Sequence, residues 1–276
     1  MVKLSVITLT YNNLKYTKKF MESLYKYTSN FELIVVDNGS TDGTVDYLKS
    51  LGNIKLILNT ENVGYSKGNN QGLEVAEGEY IAFLNNDILL SPNWFEKCEE
   101  VFEKENVGFI SPKQLNPCYD KVNDKNYLKC FVPQNCYEKT FDNCEFACCV
   151  TIRSVLNKIG NFDENFTPAF WEDNDFKYRA IEAGYDNFVV NSSCFFHYGS
   201  VTSIKHNQNF EKNRKYYYSK HRFAEYLSVY ADENFKLKTQ NVFFQKFPFC
   251  VIHEWYLFLQ KLIRNIKRLF INEASF

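Results

Sequence analysis

Short apolar segments alternate with segments of helical spacing through the first 111 positions of this 276-residue chain. Apolar runs predict strands at Leu4–Leu9, Phe31–Val36, Ile54–Leu58, Tyr80–Leu84 and Val107–Ser111. The segments predicted as helices between them are Leu14–Tyr27, Thr44–Leu51, a helix that opens within 62–72 and runs to Val75, and Trp94–Glu105. This alternation predicts an α/β fold with a mostly parallel sheet and helices on both faces.

The strand at Tyr80–Leu84 runs directly into the polar sequence Asn85-Asn86-Asp87. Ligands of open α/β sheets bind at the carboxyl ends of the strands, and hard divalent cations prefer oxygen ligands. Asp87 is therefore a candidate ligand for a divalent metal that carries a phosphorylated molecule. The alternative is that Asn86 and Asp87 only cap a helix starting near Pro92. This stretch alone does not decide between the two.

Two other strands also end in polar loops, which begin at Thr10-Tyr11-Asn12 and at Asp37. The carboxyl ends of parallel strands share one edge of a sheet, so the loops at Tyr11, Asp37 and Asp87 should meet. Each loop alone is ordinary turn chemistry, but three loops meeting at one edge favour a nucleotide site. Glycines between positions 64 and 72 would let backbone approach a phosphate, although their spacing matches neither common nucleotide fingerprint.

Residues 113–145 are polar, rich in Asn and Cys, and lack a clear period. They predict an inserted loop region that shapes an acceptor site. The cysteine spacings lack a pair of C-x2-C motifs, which disfavours structural zinc. A strand is predicted again at Phe146–Ile152, with Cys148 and Cys149 as small core residues.

Helical spacing predicts a helix from Asp173 to Ala183, ended by Gly184. Its acidic start is explained structurally by the favourable effect of the helix dipole on acids in a first turn. The functional alternative is a carboxylate that serves as a general base beside a sugar hydroxyl, with Trp171 as a flat platform for the sugar. The acids concerned are Glu172, Asp173 and Asp175.

Two short strands are predicted at Asn187–Val190 and Cys194–His197. A lone histidine is more often structural than a ligand. His197, however, ends a strand that could return to the same sheet edge, so metal ligation is a reasonable alternative.

These motifs together resemble an inverting family 2 glycosyltransferase with a GT-A fold, nearest its rhamnosyltransferase-like branch, over about residues 3–222. The family's usual Asp-x-Asp motif is Asn85-Asn86-Asp87 here, a form that this branch often carries. The other matching motifs are Ser5–Asn12, Val35–Thr44, Asn62–Gly64, Gly68–Gly72, Gly160–Glu164, Glu172–Asp175 and His197–Ser200.

The resemblance implies a role for each matched residue. Asp173 would be the general base, and Asp87 would bind Mg²⁺ or Mn²⁺ bridging the donor diphosphate, with His197 as a further ligand. Tyr11 would stack on the base of the nucleotide and Asp37 would hydrogen-bond it. The remaining substrate-binding residues implied are Thr10, Asn12, Gly64, Lys67, Asn70, Asn85, Asn86, Trp171 and Glu172.

The implied partners are a UDP- or dTDP-sugar donor and a glycan, lipid-linked or protein acceptor. The expected organisation is a catalytic GT-A domain at 1–205 and a C-terminal helical extension at 206–276. The basic run at 212–222 would bring cations to the diphosphate or form a solvated helix face. Residues 251–270 form a basic amphipathic pattern that would lie on a membrane, pack on the domain or support a homodimer.

Composition excludes some classes and leaves one alternative open. A net charge of −1 and a pI near 6.5 give no basic footprint for nucleic acid. The apolar start of the chain is too short and becomes polar too soon for a signal peptide. Nine cysteines without an export signal favour a reducing cytoplasm, with the inner membrane face as a peripheral location.

The alternative function is a nucleotide-sugar-binding protein that has lost transfer activity through its Asn-containing metal motif. A sugar-nucleotide pyrophosphorylase is disfavoured because its Gly-rich N-terminal loop is absent.

Overall fold

The computed structural model describes residues 3–115, 122–140, 144–199 and 207–221. Nine strands form one sheet in the order β3-β2-β1-β4-β8-β6-β9-β5, with β7 paired to β9. The strands are β1 Leu4–Thr10, β2 Phe31–Asp37, β3 Lys55–Leu58, β4 Tyr80–Leu84, β5 Ile88–Leu90, β6 Val107–Leu115, β7 Tyr137–Thr140, β8 Cys148–Ile152 and β9 Asp186–His197. The helices are α1 Leu14–Tyr27, α2 Thr44–Ser50, α3 Tyr65–Val75, α4 Trp94–Phe102, α5 Tyr127–Cys130, α6 Arg153–Ile159, α7 Glu172–Glu182 and α8 Asn207–Lys220.

The first four strands form a parallel block in which β1 lies between β2 and β4, and β2 pairs with β3. Alternate residues of these strands enter two separate hydrophobic clusters. Val35 packs in the cluster that includes α1 and α4, whereas Ile34 packs in the cluster that includes Phe176 of α7. Because both faces are covered, the strands are continuous apolar runs rather than alternating ones.

The second half of the sheet is mixed. Strand β8 runs antiparallel to β4 and β6, β9 runs parallel to β6, and β5 and β7 run antiparallel to β9. Six of the nine strands therefore share one direction, which confirms the predicted α/β fold with a mostly parallel sheet flanked by helices. The carboxyl ends of β1, β2, β4 and β9 and the amino end of β8 consequently lie at one edge.

The structure corrects the capping alternative for Asp87. Helix α4 begins at Trp94 with Asn93 as its N-cap residue, and Asp87 instead precedes the short strand β5. Asp87 lies before that strand rather than at the helix start, so it does not cap α4.

The prediction of two short strands before His197 is also wrong, because β9 is a single strand of 12 residues. Buried polar side chains in its middle interrupt the apolar pattern. Asn191 and Ser193 are 6% and 1% exposed, and the Asn191 amide donates a hydrogen bond of 2.8 Å to Glu138 Oε1 of β7. Within the predicted insert, β6 extends to Leu115 and β7 pairs with β9, so part of this region belongs to the sheet.

Some predictions concern segments beyond the described ranges. The amphipathic pattern at 251–270 lies outside them, and the domain boundary at 205 stays a prediction. In the basic run, Lys212, Arg214 and Lys215 lie on α8 and are exposed. Among the helices that the structure describes, none is both long and apolar enough to span a bilayer.

Candidate active site

A cavity of about 380 Å³ opens at the sheet edge where β1, β4 and β9 end and β8 begins. It combines residues from seven separate parts of the sequence. The predicted site residues that line it are Thr10, Tyr11, Gly64, Asn85, Asn86, Asp87, Glu172, Asp173 and His197. The folding of the sheet thus brings most of the predicted site together.

Asp87 and His197 form one corner of the cavity. The pairing of β5 with β9 brings them together, because Ile88, the residue after Asp87, is opposite His197 in that ladder. The Asp87 carbonyl also accepts a hydrogen bond of 3.1 Å from the Tyr198 backbone N–H. Asp87 Oδ1 lies 3.2 Å from His197 Nε2. Their arrangement lacks hydrogen-bond geometry, and Nε2 is buried without a hydrogen-bond partner among the described residues. Two groups that bind cations therefore converge without satisfying one another.

The composition of the cavity wall bears on whether a metal fits. Its described lining contains no lysine or arginine. Residues 3–115, 122–140, 144–199 and 207–221 also contain no group of three or more His, Cys, Asp or Glu side chains arranged around a metal site. Asp87 and His197 would therefore supply two ligands, a donor set that suits a cation otherwise held by phosphates and water. The residues present fit a divalent ion of that kind.

The three acids at the start of α7 occupy different environments. Asp173 lines the cavity and is partly exposed, whereas Asp175 is fully buried outside it and pairs with Arg179 Nε at 2.8 Å. Residues two apart on a helix point about 200° from each other, which explains why only one of this pair reaches the cavity.

Glu172 also lines the cavity, but it is only 6% exposed. Its Oε2 has no hydrogen-bond partner among the described residues. Burial, and then the neighbouring charge of Asp173, hold the pKa of Glu172 well above the ordinary value for a glutamate. The raised pKa widens the pH range in which the Glu172 carboxyl is protonated, the form in which it can donate a hydrogen bond.

The loop before α7 is held in an unusual backbone conformation. Phe170 has φ 81° and Trp171 has φ 74°, a region that bulky residues occupy at a cost of about 1–3 kcal/mol. The Asn213 amide of α8 stabilises it by donating to the carbonyl oxygens of Ala169 at 2.9 Å and Phe170 at 3.1 Å. Sequence reasoning missed Asn213, because a single asparagine in a basic helix carries no signal of a distant loop.

Gly64 lies opposite the same loop. The Pro168 carbonyl accepts a bond of 2.8 Å from the Tyr65 N–H, and a Cβ on Gly64 would stand 2.8 Å from that carbonyl oxygen. Gly64 also has φ 88°, so only glycine allows this close approach without strain. Its place in the cavity wall thus follows from backbone packing.

Two predicted nucleotide-binding residues lie behind the cavity wall. Asp37 is 1% exposed, and its carboxylate accepts bonds from Thr10 Oγ1, Ser40 Oγ and the N–H groups of Gly39 and Ser40. Asn12 Oδ1 accepts a bond of 2.9 Å from the Thr41 N–H. These side chains hold the loops after β1 and β2 together, and a direct contact with a nucleotide would require exchange of these bonds.

The structure also places Lys67, Asn70 and Trp171 outside the cavity lining. Lys67 is exposed on α3. The Asn70 side chain bonds the backbone N–H and carbonyl of Phe162, each at 3.0 Å, so it links α3 to the segment before α7. The Trp171 ring packs against Tyr217, with ring centroids 5.1 Å apart. Their predicted contacts with substrate therefore have no geometric support in the described lining.

Glu145 is a cavity residue that the sequence reasoning missed. It lies in the turn before β8, where its N–H donates to Ser111 Oγ at 3.1 Å and its carbonyl accepts from the Cys148 N–H at 3.1 Å. Burial raises the pKa of its carboxyl, Lys177 opposes this shift, and Asp173 adds to it. Glu145 ends the irregular predicted insert, so no pattern in the sequence marked it.

Comparison with known proteins identifies similar glycosyltransferases. A glycosyltransferase of uncharacterised function from Rickettsia typhi, RT0329, is 28% identical over 217 residues, covering 74% of this chain and 67% of its own. Staphylococcus aureus TarS 1–349 in complex with UDP superposes with a TM-score of 0.54 at 25% identity, over 70% of this chain and 60% of that chain. The mannosyltransferase PcManGT of Pyrobaculum calidifontis, in complex with GDP-Man and Mn²⁺, has a TM-score of 0.59 at 16% identity, over 82% and 64%. The chain spans 24%, 32% and 41% of the length of three further curated relatives that it matches.

The structural neighbours are GT-A glycosyltransferases, which agrees with the sheet described above. The model for "Glycosyl transferase family 2" matches residues 5–160, which is more than half of the chain. The chain therefore belongs to glycosyl transferase family 2.

Proposed function

We propose that the chain transfers a sugar from a nucleoside-diphosphate sugar to an acceptor hydroxyl, with inversion at the anomeric carbon. The observation that carries this proposal is the arrangement of one cavity, which has Asp87 and His197 in one corner and Asp173 at the start of α7. Inverting transfer needs these two functions in the same cavity, a site for the diphosphate and a base on the acceptor side.

The donor is proposed to be a UDP- or dTDP-sugar. Tyr11 lines the cavity and is 38% exposed, so its ring is available for stacking on a pyrimidine base. Asn38 is also in the wall, but its amide bonds Asn62, Gly64 and Asn59, so it supports the wall. The likeness to TarS, which was solved with UDP, supports a uridine nucleotide.

Mg²⁺ or Mn²⁺ is proposed as the cofactor, with Asp87 and His197 as its ligands. Such an ion would neutralise negative charge on the leaving diphosphate. The unpartnered Nε2 of His197 and the absence of lysine and arginine from the described wall support this assignment. Asn85 and Asn86 would contact the donor as neutral groups, although the Asn86 amide already donates to Thr17 Oγ1 at 2.9 Å.

Asp173 is proposed as the general base. It accepts the proton of the acceptor hydroxyl while that oxygen bonds to the anomeric carbon, and the bond from this carbon to the diphosphate breaks on the opposite face. Asp173 is the acid of its helix turn that is both in the cavity and partly exposed. Glu172, with its raised pKa, would orient the acceptor hydroxyl through a hydrogen bond.

The finer assignment follows the sequence resemblance. We propose a hexosyltransferase of the rhamnosyltransferase-like branch that acts on a surface polysaccharide, a lipid-linked glycan or a protein. It would work in the cytoplasm, and residues 251–270 would supply peripheral contact with the inner face of the membrane or a homodimer contact. The membrane contact can be tested by sedimentation with anionic vesicles, which compares the full chain with a chain ending at Pro248. Equal vesicle binding by the two chains would contradict a membrane contact through residues 251–270.

The metal and donor assignments can be tested by calorimetry with UDP in the presence and absence of Mn²⁺. Wild-type protein should bind UDP more tightly with Mn²⁺, and Asp87→Ala should lose that enhancement. Asp46→Ala is a matched control, because Asp46 is exposed on α2 outside the cavity. An unchanged Mn²⁺ enhancement in Asp87→Ala would remove Asp87 from the metal site.

A nucleotide-sugar-binding protein without transfer activity is the second candidate. Two observations favour a binding protein. Asn85 stands where the family pattern has an acid, and the described residues contain no cluster of three metal ligands. Measuring nucleoside diphosphate release with a panel of acceptors separates the two. Acceptor-dependent release supports the enzyme, whereas tight UDP binding without release under any condition supports the binding protein.

A further inference from the structure

The cavity has one acid, Glu145, that the proposed mechanism does not use. Its lining contains four carboxylic acids, Asp87, Glu145, Glu172 and Asp173, but no lysine or arginine among the described residues. The buried Oε2 of Glu172, which has no hydrogen-bond partner in the described part of the chain, is an independent sign that a ligand completes this wall. The nearby cation Lys177 is 5% exposed and does not line the cavity.

Glu145 occupies a defined place among these acids. Its backbone is fixed by the bond to Ser111 and by the turn to Cys148, and the Ala147 carbonyl in the same turn accepts a bond of 2.9 Å from the Asn85 N–H. The Glu145 turn is therefore joined to the metal-motif loop. Glu145 is exposed to solvent and belongs to the cavity lining.

Glu145 lines the same cavity as both functional ends, Asp173 and His197. In the proposed reaction the diphosphate lies at the His197 corner and the attacking hydroxyl lies at Asp173. The transferred sugar must occupy the space between them. Glu145 belongs to the wall of that space, and its turn is bonded to the loop at Asn85.

We propose that Glu145 is a specificity-determining residue that accepts hydrogen bonds from hydroxyl groups of the transferred sugar and excludes sugars that carry a carboxylate. This inference rests on the proposed function and names the substrate class of the same cavity, neutral hexoses rather than uronic acids. In its ionised form, the Glu145 carboxylate accepts hydrogen bonds from hydroxyls readily, but it repels a second carboxylate because neither group can then donate.

The repulsion is expected to be large enough to measure. Two like charges about 6 Å apart in a partly solvated site repel each other, whereas a charged and a neutral group do not. This repulsion energy is enough to weaken binding roughly tenfold or more. A bound metal cation is no substitute partner for a sugar carboxylate, because it is engaged by the diphosphate. The acidic wall would thus select an uncharged sugar, whichever nucleotide carries it.

A direct test compares UDP-glucose with UDP-glucuronate, which differ only in a hydroxymethyl group against a carboxylate. Their dissociation constants are measured by calorimetry with Mn²⁺ for wild type, Glu145→Gln and Glu74→Gln. Glu74 is exposed on α3 outside the cavity, so its variant removes the same charge from an unrelated place. UDP alone is the reference ligand, and thermal unfolding checks that each variant folds.

The expected result is that wild type and Glu74→Gln prefer UDP-glucose by roughly tenfold or more, whereas Glu145→Gln narrows this ratio several-fold and binds UDP alone as wild type does. Equal affinity of wild type for both sugars would overturn the inference. An unchanged ratio in Glu145→Gln, or an equal loss of UDP affinity in that variant, would also overturn it. Failure of wild type to bind UDP with Mn²⁺ would instead contradict the proposed function, and this inference with it.

Discussion

Two groups of loops meet at the active edge of the sheet, and they differ in how their polar groups are satisfied. In the loops after β1 and β2, Asp37 accepts four hydrogen bonds, and Asn12 bonds across to Thr41. In the loops after β4 and β9 and before α7, His197 Nε2 and Glu172 Oε2 are buried without hydrogen-bond partners among the described residues.

Backbone conformation follows the same division. The positive φ of Asn12 and Asn13 is a conformation that asparagine tolerates, whereas the positive φ of Phe170 and Trp171 is strained. The first group of loops is thus complete by itself, and the second lacks groups that a ligand would supply. Substitutions in the first group should mainly change stability, and those in the second should mainly change binding and rate.

The largest effect is expected for the general base. Asp173→Asn should lower the rate of sugar transfer by about 10²–10⁴-fold, because it keeps the shape of the side chain and removes its basicity. Donor binding should remain near that of wild type. Steady-state kinetics and calorimetry with UDP measure the two quantities.

Asp175→Asn is the matched control for Asp173→Asn. Asp175 is fully buried and pairs with Arg179, so its variant should lose thermal stability while the remaining folded protein keeps its turnover. Near-normal turnover in Asp173→Asn, together with a collapse of turnover in stable Asp175→Asn, would move the base to Asp175.

In the satisfied loops, Asp37→Ala should lower the free energy of unfolding by about 3 kcal/mol. It leaves Thr10 Oγ1, which is in a residue only 1% exposed, without its carboxylate partner, and buried donors without partners cost about 1–3 kcal/mol each. Denaturant unfolding measures this loss of unfolding free energy.

Asp87→Ala removes a carboxylate from the other group of loops and should change the free energy of unfolding by less than about 1 kcal/mol. Equal losses in the two variants would break the distinction between the two groups.

A smaller change is expected at the second metal ligand. His197→Ala should weaken the affinity for Mn²⁺ with UDP roughly tenfold, less than Asp87→Ala, because Asp87 carries the negative charge that the cation needs. Stability should not fall appreciably, since Nε2 has no hydrogen bond to lose in the described structure. Calorimetry at a fixed UDP concentration measures the Mn²⁺ affinity. If His197→Ala binds Mn²⁺ as tightly as wild type does, His197 is a structural residue and not a metal ligand.

The smallest effect concerns Glu172 and pH. Its pKa is higher in the folded protein than in the unfolded chain, so the folded protein binds its proton more tightly. The free energy of unfolding therefore falls as pH rises above 4.5, the ordinary value, by at most about 1.4 kcal/mol per pH unit for this one proton.

Glu172→Gln should remove that dependence and melt at a higher temperature than wild type at pH 8, with a smaller difference at pH 5. Thermal unfolding of both proteins at the two pH values decides it. An identical pH dependence would show that Glu172 is ionised as easily in the folded protein as in the unfolded chain.

The sequence alone determined the layered fold, since continuous apolar strands require helices on both faces. It also predicted that the loops at Tyr11, Asp37 and Asp87 meet, because the carboxyl ends of parallel strands share one edge. His197 was an alternative at that edge. Helical geometry allowed only one of Asp173 and Asp175 to face the donor, and the family resemblance chose Asp173.

Only the tertiary structure decided which polar residues face the cavity. Asp37 and Asn70 have the same chemistry as the polar residues that line the cavity, but hydrogen bonds within the protein engage both side chains. Asn70 bonds Phe162 across 92 positions, and nothing near Asn70 in the sequence records that partner. Glu145 reaches the cavity because β8 runs antiparallel to β4, which places the start of β8 at the active edge. A local pattern reports burial and period, whereas the facing of a polar side chain depends on which distant group satisfies it.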